Sequence, residues 1–249
     1  MRFYLGTHQV DWLWRSEFAD VPLFVSFRRL RGRPRLKKAI APWAMDSGGF
    51  TELSMHGRWQ TSPEEYVAEV RGIVKLTGMP EWIAPQDWMC EEQILEKTGK
   101  TVSEHQDLTV NNLLQLRALA PELPFVPVLQ GFTHWDYLEC AERYLRAGVD
   151  LAAEPVIGVG TMCRRQGTIE AEVIMRSLAG LGLRVHAFGA KTTGLRRYAN
   201  VLTSSDSLAW SFNARRHPPL PGCMHKNCNS CPKWALRWRE RMLAGLSAP

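Results

Sequence analysis

The sequence predicts an α/β fold of the (β/α)8 TIM-barrel type that ends in a small zinc-binding segment. Short β-type runs alternate with helix-type segments through most of the 249 residues, which indicates a parallel sheet. Eight such runs fit a closed barrel. A cysteine and histidine cluster follows the last run. We therefore expect a barrel over residues 1–216 and, over residues 217–249, a zinc-binding loop with a basic helix packed on the barrel.

The predicted strands are rich in Val, Ile, Leu, Phe and Trp and are bounded by glycine, proline or polar residues. In chain order they span residues 2–8, 22–27, 43–47, 81–87, 124–131, 151–160, 184–189 and 200–207.

The predicted helices have apolar residues at three- and four-residue spacing. The segment 62–78 opens with Ser62 and Pro63, which are typical of a helix start, and ends near Gly78. The others span residues 103–120, 135–148, 169–182, 193–199 and, at the C-terminus, 233–242.

The composition favours a protein with a polyanionic partner and gives no sign of a membrane span or a secretion signal. Lys and Arg total 31 against 25 Asp and Glu, and the formal net charge of +6 favours a polyanionic partner. No stretch has the roughly 18 consecutive apolar residues of a membrane span, and the N-terminus has no signal-peptide pattern. Six cysteines in such a chain fit a metal site in a reducing compartment better than disulfides, so we expect a cytoplasmic protein.

Polar and glycine residues end successive strands of the predicted barrel. In this fold the C-terminal strand ends form the active-site face, so we expect these residues to share one site. They are Asp46, Asp87, Gln130, Gly158, Gly160, Gly189 and Asp206. A role in a turn would explain any one of these residues, but it explains the whole set less readily than a shared site does.

The stretch DSGGF at 46–50 favours a pocket floor with Asp46 at its edge. Gly48 and Gly49 would let another molecule approach the backbone, and Ser47 and Phe50 would lie beside it. A tight turn capped by Asp46 is the alternative. A carboxylate can attack a sugar C1′ while a second one moves the proton, and an amide with an acid can bind a purine edge.

Several motifs resemble the tRNA-guanine transglycosylase superfamily, and they occur in the same order. They are DSGGF at 46–50, QD at 86–87, VLQG at 128–131, GVG at 158–160 and DSLAWSFNAR at 206–215. The opening GTHQVDWL at 6–13 resembles the deazapurine DNA-modification branch, the DpdA-type proteins.

The resemblance implies a pentosyltransferase that exchanges guanine in DNA for a 7-deazaguanine, such as 7-cyano-7-deazaguanine. It implies Asp206 as nucleophile and Asp46 as general acid/base. Asp87 and Gln130 would hold the purine edge, and the loop from Gly158 to Gly160 would lie beside the incoming base. Gly48 and Gly49 would leave room for base and ribose.

Two other functions stay open. The same chemistry on tRNA is one, and a zinc-stabilised nucleic-acid-binding protein with an inactive barrel is the other. A metal-dependent barrel hydrolase would need a His-x-His start, which the sequence lacks. The sequence leaves open which 7-deazaguanine is used, and whether the chain works as a homodimer or with an accessory protein.

The segment PGCMHKNCNSCPKW carries ligands of the type that tetrahedral zinc prefers. We expect Cys223, His225, Cys228 and Cys231 to hold a structural zinc ion. Unpaired cysteines and an iron–sulfur site are the alternatives. The superfamily's own zinc site has a different order of ligands, so His217 is an alternative fourth ligand.

The segment RRLRGRPRLKK at 28–38 has seven basic residues and no acid. It follows the second predicted strand and so lies on the expected active-site face. We expect it to contact phosphates, although a solvated loop is the default for such a run. The candidate contacts are Arg31, Arg33, Arg35 and Lys37, with Arg164 and Arg165 extending the positive rim.

Overall fold

A computed structural model describes residues 1–247 of the chain. Seven strands form one all-parallel sheet in the order β3-β2-β1-β7-β6-β5-β4, which confirms the expected α/β architecture. The strands are β1 (Arg2–Thr7), β2 (Leu23–Ser26), β3 (Trp43–Asp46), β4 (Val128–Leu129), β5 (Ile157–Val159), β6 (Val185–Ala187) and β7 (Ser204–Ser207).

Each segment that the sequence predicts as helical forms a helix, with slightly different bounds. Capping boxes begin three of them, at Ser62, Thr101 and Thr133, where side chains satisfy free backbone N–H groups. The helices are α1 (Phe27–Leu30), α2 (Gly49–His56), α3 (Pro63–Thr77), α4 (Glu92–Thr98), α5 (Val102–Leu119), α6 (His134–Arg146), α7 (Ile169–Gly180), α8 (Thr192–Tyr198), α9 (Ala209–Ala214) and α10 (Pro232–Ser247).

The segment predicted as a strand over 81–87 forms isolated parallel bridges instead. Ile83 bridges Met45 at the end of β3 on one side and Phe125 on the other. The Ile83 N–H donates to Pro124 O, and the Val126 N–H donates to Ile83 O. The next N–H on that side would come from residue 85, which is a proline and has none. On the side of Phe125, proline therefore limits the pairing to the single bridge of Ile83.

Two apolar layers cover the sheet. The larger lies between the strands and the surrounding helices. The smaller is lined by Tyr4, Phe24, Trp82 and neighbouring small residues. The side chain of His186, from β6, lies among these rings, with its ring centroid 4.7 Å from that of Trp82.

The C-terminal segment packs into the larger layer. Cys228, Cys231 and Trp234 are buried there, and Trp238 lies against Phe3 with ring centroids 6.3 Å apart. The last two residues of the predicted segment 217–249 lie outside the described residues. Within residues 1–247 no helix combines the length and apolarity needed to cross a membrane.

Candidate active site

Three carboxylates approach one another at the C-terminal ends of the strands. Asp46 ends β3, Asp206 lies near the end of β7, and Asp87 lies in the loop that follows the Ile83 bridges. The charges of Asp87 and Asp206 both act on Asp46. The structure therefore brings together the three acids that the sequence placed at separate strand ends.

Asp46 holds a proton far more readily than an ordinary aspartate. Burial, and then the charges of Asp87 and Asp206, raise its pKa from 3.8 to about 7. Hydrogen bonds from the Ser26 hydroxyl and the Gly48 N–H, the latter at 3.1 Å, act in the opposite direction. A carboxyl with this pKa can both give and take a proton near neutral pH.

Asp87 is the acceptor at the centre of a buried network. Ser47 Oγ donates to its Oδ1 at 3.1 Å, and Gln130 Nε2 donates to its Oδ2 at 2.6 Å. Burial raises the pKa of Asp87 to about 6, although both hydrogen bonds lower it. Ser47, Asp87 and Gln130 are all buried. An acid and an amide thus stand side by side, an arrangement that can offer a ligand both acceptors and donors.

Asp206 is held by groups from the neighbouring strand β6 and from the turn that follows it. The Gly189 N–H donates to Asp206 Oδ1 at 2.8 Å, and His186 Nε2 lies 3.4 Å from the same oxygen. Because a carboxylate only accepts, Nε2 must carry the proton in that contact. His186 Nδ1 then accepts from the Ser204 hydroxyl at 2.8 Å. These contacts fix the orientation of the Asp206 carboxylate.

The glycines of the site allow close packing between protein groups. Gly48 has a φ of +81°, and a Cβ there would lie 2.7 Å from the Arg28 side chain. A Cβ at Gly49 would lie 2.8 Å from Met89, one at Gly158 2.5 Å from Phe188, and one at Gly160 2.2 Å from Gln130 Nε2. Space for a base and ribose beside Gly48 and Gly49 stays a prediction.

Two exposed phenylalanines flank the carboxylates, and an arginine side chain lies over the ring of each. We call these the Phe–Arg pairs. Arg164 lies over Phe50 at 5.5 Å, and Arg165 lies over Phe132 at 4.5 Å. Phe50 follows Asp46 at the start of α2, whereas Phe132 follows Gln130. Two adjacent arginines of the loop after β5 thus contact aromatic rings that follow two different strand ends.

The basic residues of segment 28–38 differ in how far they are engaged. Arg28 pairs with Glu52, and Arg31 bonds Glu69 at 2.9 Å and Thr61 at 2.8 Å. Arg33 donates to the Arg29 carbonyl at 2.6 Å. Within the described chain, Arg35 and Lys37 have no such contacts, and both are exposed. Arg35 and Lys37, like Lys38, are therefore free to meet an anion.

The predicted metal ligands lie together before α10. One ligand atom from each of Cys223, His225, Cys228 and Cys231 lies within 4.8 Å of the others. His225 Nε2 is 3.1 Å from Cys228 Sγ, and the Leu220 N–H points to the same sulfur at 3.4 Å. His217 instead bonds the Asn213 carbonyl and is not one of these four residues.

Sequence reasoning missed His186 and Thr161. The register pairs His186 with Ser204, two residues before Asp206, so both face the same side of the sheet as the acid. A histidine inside an otherwise apolar strand was the available signal. Thr161 Oγ1 contacts Gln130 Oε1 at 2.8 Å, and nothing in its residue type indicates that contact.

Comparison with known proteins gives one family. The family model described as DpdA, DeoxyPurine in DNA protein A, matches residues 1–248. No curated protein matches the chain. The match covers the carboxylates, the Phe–Arg pairs and the cysteine cluster alike.

Proposed function

The chain belongs to the DpdA family, and from that membership we propose that it replaces guanine in DNA by a 7-deazaguanine, such as 7-cyano-7-deazaguanine. The family assigns the chain to deazapurine modification of DNA and to transglycosylase-like enzymes. The convergence of Asp46 and Asp206 beside the Asp87–Gln130 pair is the observation that carries the proposal.

In the first step, an Asp206 oxygen attacks C1′ of the target deoxyguanosine. The bond from C1′ to N9 of guanine breaks as the ester bond forms, and Asp46 gives its proton to the departing base. The Gly189 N–H and His186 hold the attacking carboxylate in place. Asp46 is left as a carboxylate, ready to act as a base.

In the second step, Asp46 removes the N9 proton of the incoming 7-deazaguanine. N9 then attacks C1′ on the face that guanine left, and Asp206 departs as a carboxylate. Two displacements retain the β configuration. The proton returns to Asp46, so the cycle consumes neither an oxidant nor ATP.

Asp87 and Gln130 are the proposed readers of the base. The Asp87 carboxylate accepts from the N1 and 2-amino N–H groups, and Gln130 donates to the 6-oxo group. Ser47 holds Asp87 from the opposite side. The loop from Gly158 to Gly160 passes close to the Gln130 side chain, which supports its assignment beside the base.

The cysteine cluster suits a structural zinc ion. Zn–S bonds of about 2.3 Å place the ligands of a tetrahedral site roughly 3.8 Å apart, and the four ligand atoms here lie within 4.8 Å of one another. Cys223, His225, Cys228 and Cys231 would hold the ion. With four protein ligands it has no open position, so it would fix α10 against the sheet and take no part in the exchange.

We also propose that the sheet closes into a (β/α)8 barrel. The parallel bridges of Ile83 connect β3 to the segment that leads into β4, the two edges of the seven-stranded sheet. Closure would place all the strand ends around one mouth.

Segment 28–38 and the Phe–Arg pairs form the proposed DNA surface. Arg35 and Lys37 are free to neutralise phosphates. Exposed aromatic rings with arginines above them bind unstacked bases in other nucleic-acid sites. Such a surface suits an enzyme that must take its target base out of the helix.

Substitution of the two acids separates their roles. Asp206→Asn should form no covalent adduct with guanine-containing DNA and should give essentially no exchange. Asp46→Asn should lose about 10²–10⁴-fold in rate, because both proton transfers are impaired, and should still form the adduct, although slowly. Denaturing gels and intact mass measure the adduct. Full activity in both variants would contradict the proposal.

A further inference from the structure

Thr161 has a backbone conformation that its residue type disfavours. Its φ is +56°, and no other non-glycine residue among residues 1–247 has a positive φ. A β-branched residue in this region is a steric outlier that persists only where the surrounding structure imposes it. Glycine would adopt this φ without strain, so the strain indicates a role for the threonine side chain.

The Thr161 hydroxyl connects two loops of the site. The Cys90 N–H donates to its oxygen at 2.9 Å, and the hydroxyl donates to Gln130 Oε1 at 2.8 Å. Glu91 Oε2 is a more distant acceptor, at 3.5 Å. Since a hydroxyl has one proton, the shorter contact assigns that proton to Gln130. Thr161 is only 5% exposed and Gln130 is fully buried.

These contacts determine which way the Gln130 amide faces. Oε1 points to Thr161, and Nε2 points to Asp87 at 2.6 Å. The reverse orientation would place Oε1 against the Asp87 carboxylate. One N–H of Nε2 bonds Asp87, and the second N–H is left as a donor beside that carboxylate.

We propose that Thr161 is a positioning residue that fixes the Gln130 amide as a donor and thereby selects purines with a carbonyl group at position 6. The inference rests on the proposed function. Guanine and 7-deazaguanine present an acceptor oxygen at that position, whereas a 6-amino base presents N–H donors that a Gln130 N–H would oppose.

A pair of free bases that differ at position 6 tests this role. The 6-amino base also lacks the N1 proton, so Asp87 adds a part of the preference that is common to the wild type and all Thr161 variants. The probes are 7-deazaguanine and 2,6-diamino-7-deazapurine, with binding followed by calorimetry and exchange into DNA followed by kinetics. Thr161→Val keeps the branched shape but leaves Gln130 Oε1 buried without a donor. We expect the Kd and KM for 7-deazaguanine to rise about tenfold, kcat to change less, and the preference over the 6-amino base to fall by a similar factor.

Two further variants separate the hydroxyl from the backbone strain. Thr161→Ser keeps the hydroxyl and should restore both affinity and preference. Thr161→Gly removes the strain and the hydroxyl together, so it should keep the backbone conformation yet should lose the same part of the preference as Thr161→Val. A purely conformational role predicts the opposite result for the glycine variant.

The outcomes distinguish this inference from the proposed function. Wild-type preference in Thr161→Val, or full preference in Thr161→Gly, would overturn the role of Thr161. So would wild-type protein that binds both bases equally or binds neither. Wild-type protein that binds 7-deazaguanine selectively but exchanges no base would instead refute the proposed function, and the binding data would still decide the role of Thr161.

Discussion

Protonation of the Asp46 carboxyl is coupled to folding, because its pKa differs between the folded and unfolded protein. Its pKa is about 7 in the folded protein, chiefly because of burial, against 3.8 for the free group. Folding therefore favours the protonated form. This contribution to stability is complete below about pH 4 and is lost as the pH rises through about 7.

Asp46→Asn should stabilise the protein more at higher pH. The amide is neutral, so it avoids the cost of a charge beside Asp87 and Asp206. Because Asp46 is mostly buried but keeps some contact with solvent, we expect a gain on the order of 1–3 kcal/mol at about pH 8 that shrinks towards about pH 4. Denaturant unfolding across this range measures it, with exposed Asp20→Asn as the control. A gain that does not change with pH would contradict the account.

The site residues differ in how far the sequence predicts them. Asp46, Asp87, Gln130 and Asp206 each end a predicted strand, so the fold class alone brings them to one rim. The contact between Thr161 and Gln130 depends on a backbone angle that threonine rarely adopts. No sequence pattern encodes it.

Among the structural elements, segment 28–38 shows how long-range contacts change a sequence prediction. Its basic residues look alike in the sequence, but α3 supplies Glu69 to Arg31 from a distant part of the chain. Arg31 thus differs from Arg35 and Lys37, which have no partner within the described residues.

The double variant Arg35→Gln, Lys37→Gln should weaken DNA binding at every sequence. Each lost phosphate contact should reduce the salt dependence by about 0.9 in the slope of log K against log salt on duplex DNA. Arg31→Gln is the matched control and should have a smaller effect, because Glu69 already neutralises that cation. Fluorescence anisotropy at several salt concentrations measures both. An unchanged affinity and slope in the double variant would make the segment a solvated loop.

The loop before α10 is the element for which the sequence was most informative. Four ligands of two types, three cysteines and one histidine, within nine residues predicted a cluster, and the side chains do converge. The short spacing leaves the chain few ways to separate them. The choice of His225 over His217 needed the fold, because Asn213 engages the latter.

Cys228→Ser should lower zinc content and stability together. Zinc binding contributes directly to the folding of such loops, and Cys228 is the most buried ligand. We expect about one zinc per chain in the wild type by metal analysis, and a lower melting temperature with little zinc in the variant. Cys163→Ser, outside the cluster, should keep its zinc. Wild-type protein without zinc but with an intact fold would refute the site.

At the scale of the whole molecule, alternating strands and helices predicted the parallel sheet correctly. The sequence did not show that the segment 81–87 forms only isolated bridges at Ile83, since on the Phe125 side this depends on where Pro85 meets the neighbouring segment. The net charge of +6 agrees with a nucleic-acid partner. Charge does not distinguish DNA from tRNA, and family membership favours DNA.

Nucleoside analysis tests the central claim most directly. Purified protein is incubated with 7-cyano-7-deazaguanine and either guanine-containing DNA or tRNA, and the products are digested and identified by mass spectrometry. The account predicts the deoxyribonucleoside of the added base in DNA, its absence from tRNA, and its absence from DNA treated with Asp206→Asn. Unmodified DNA, or modification of tRNA alone, would contradict it.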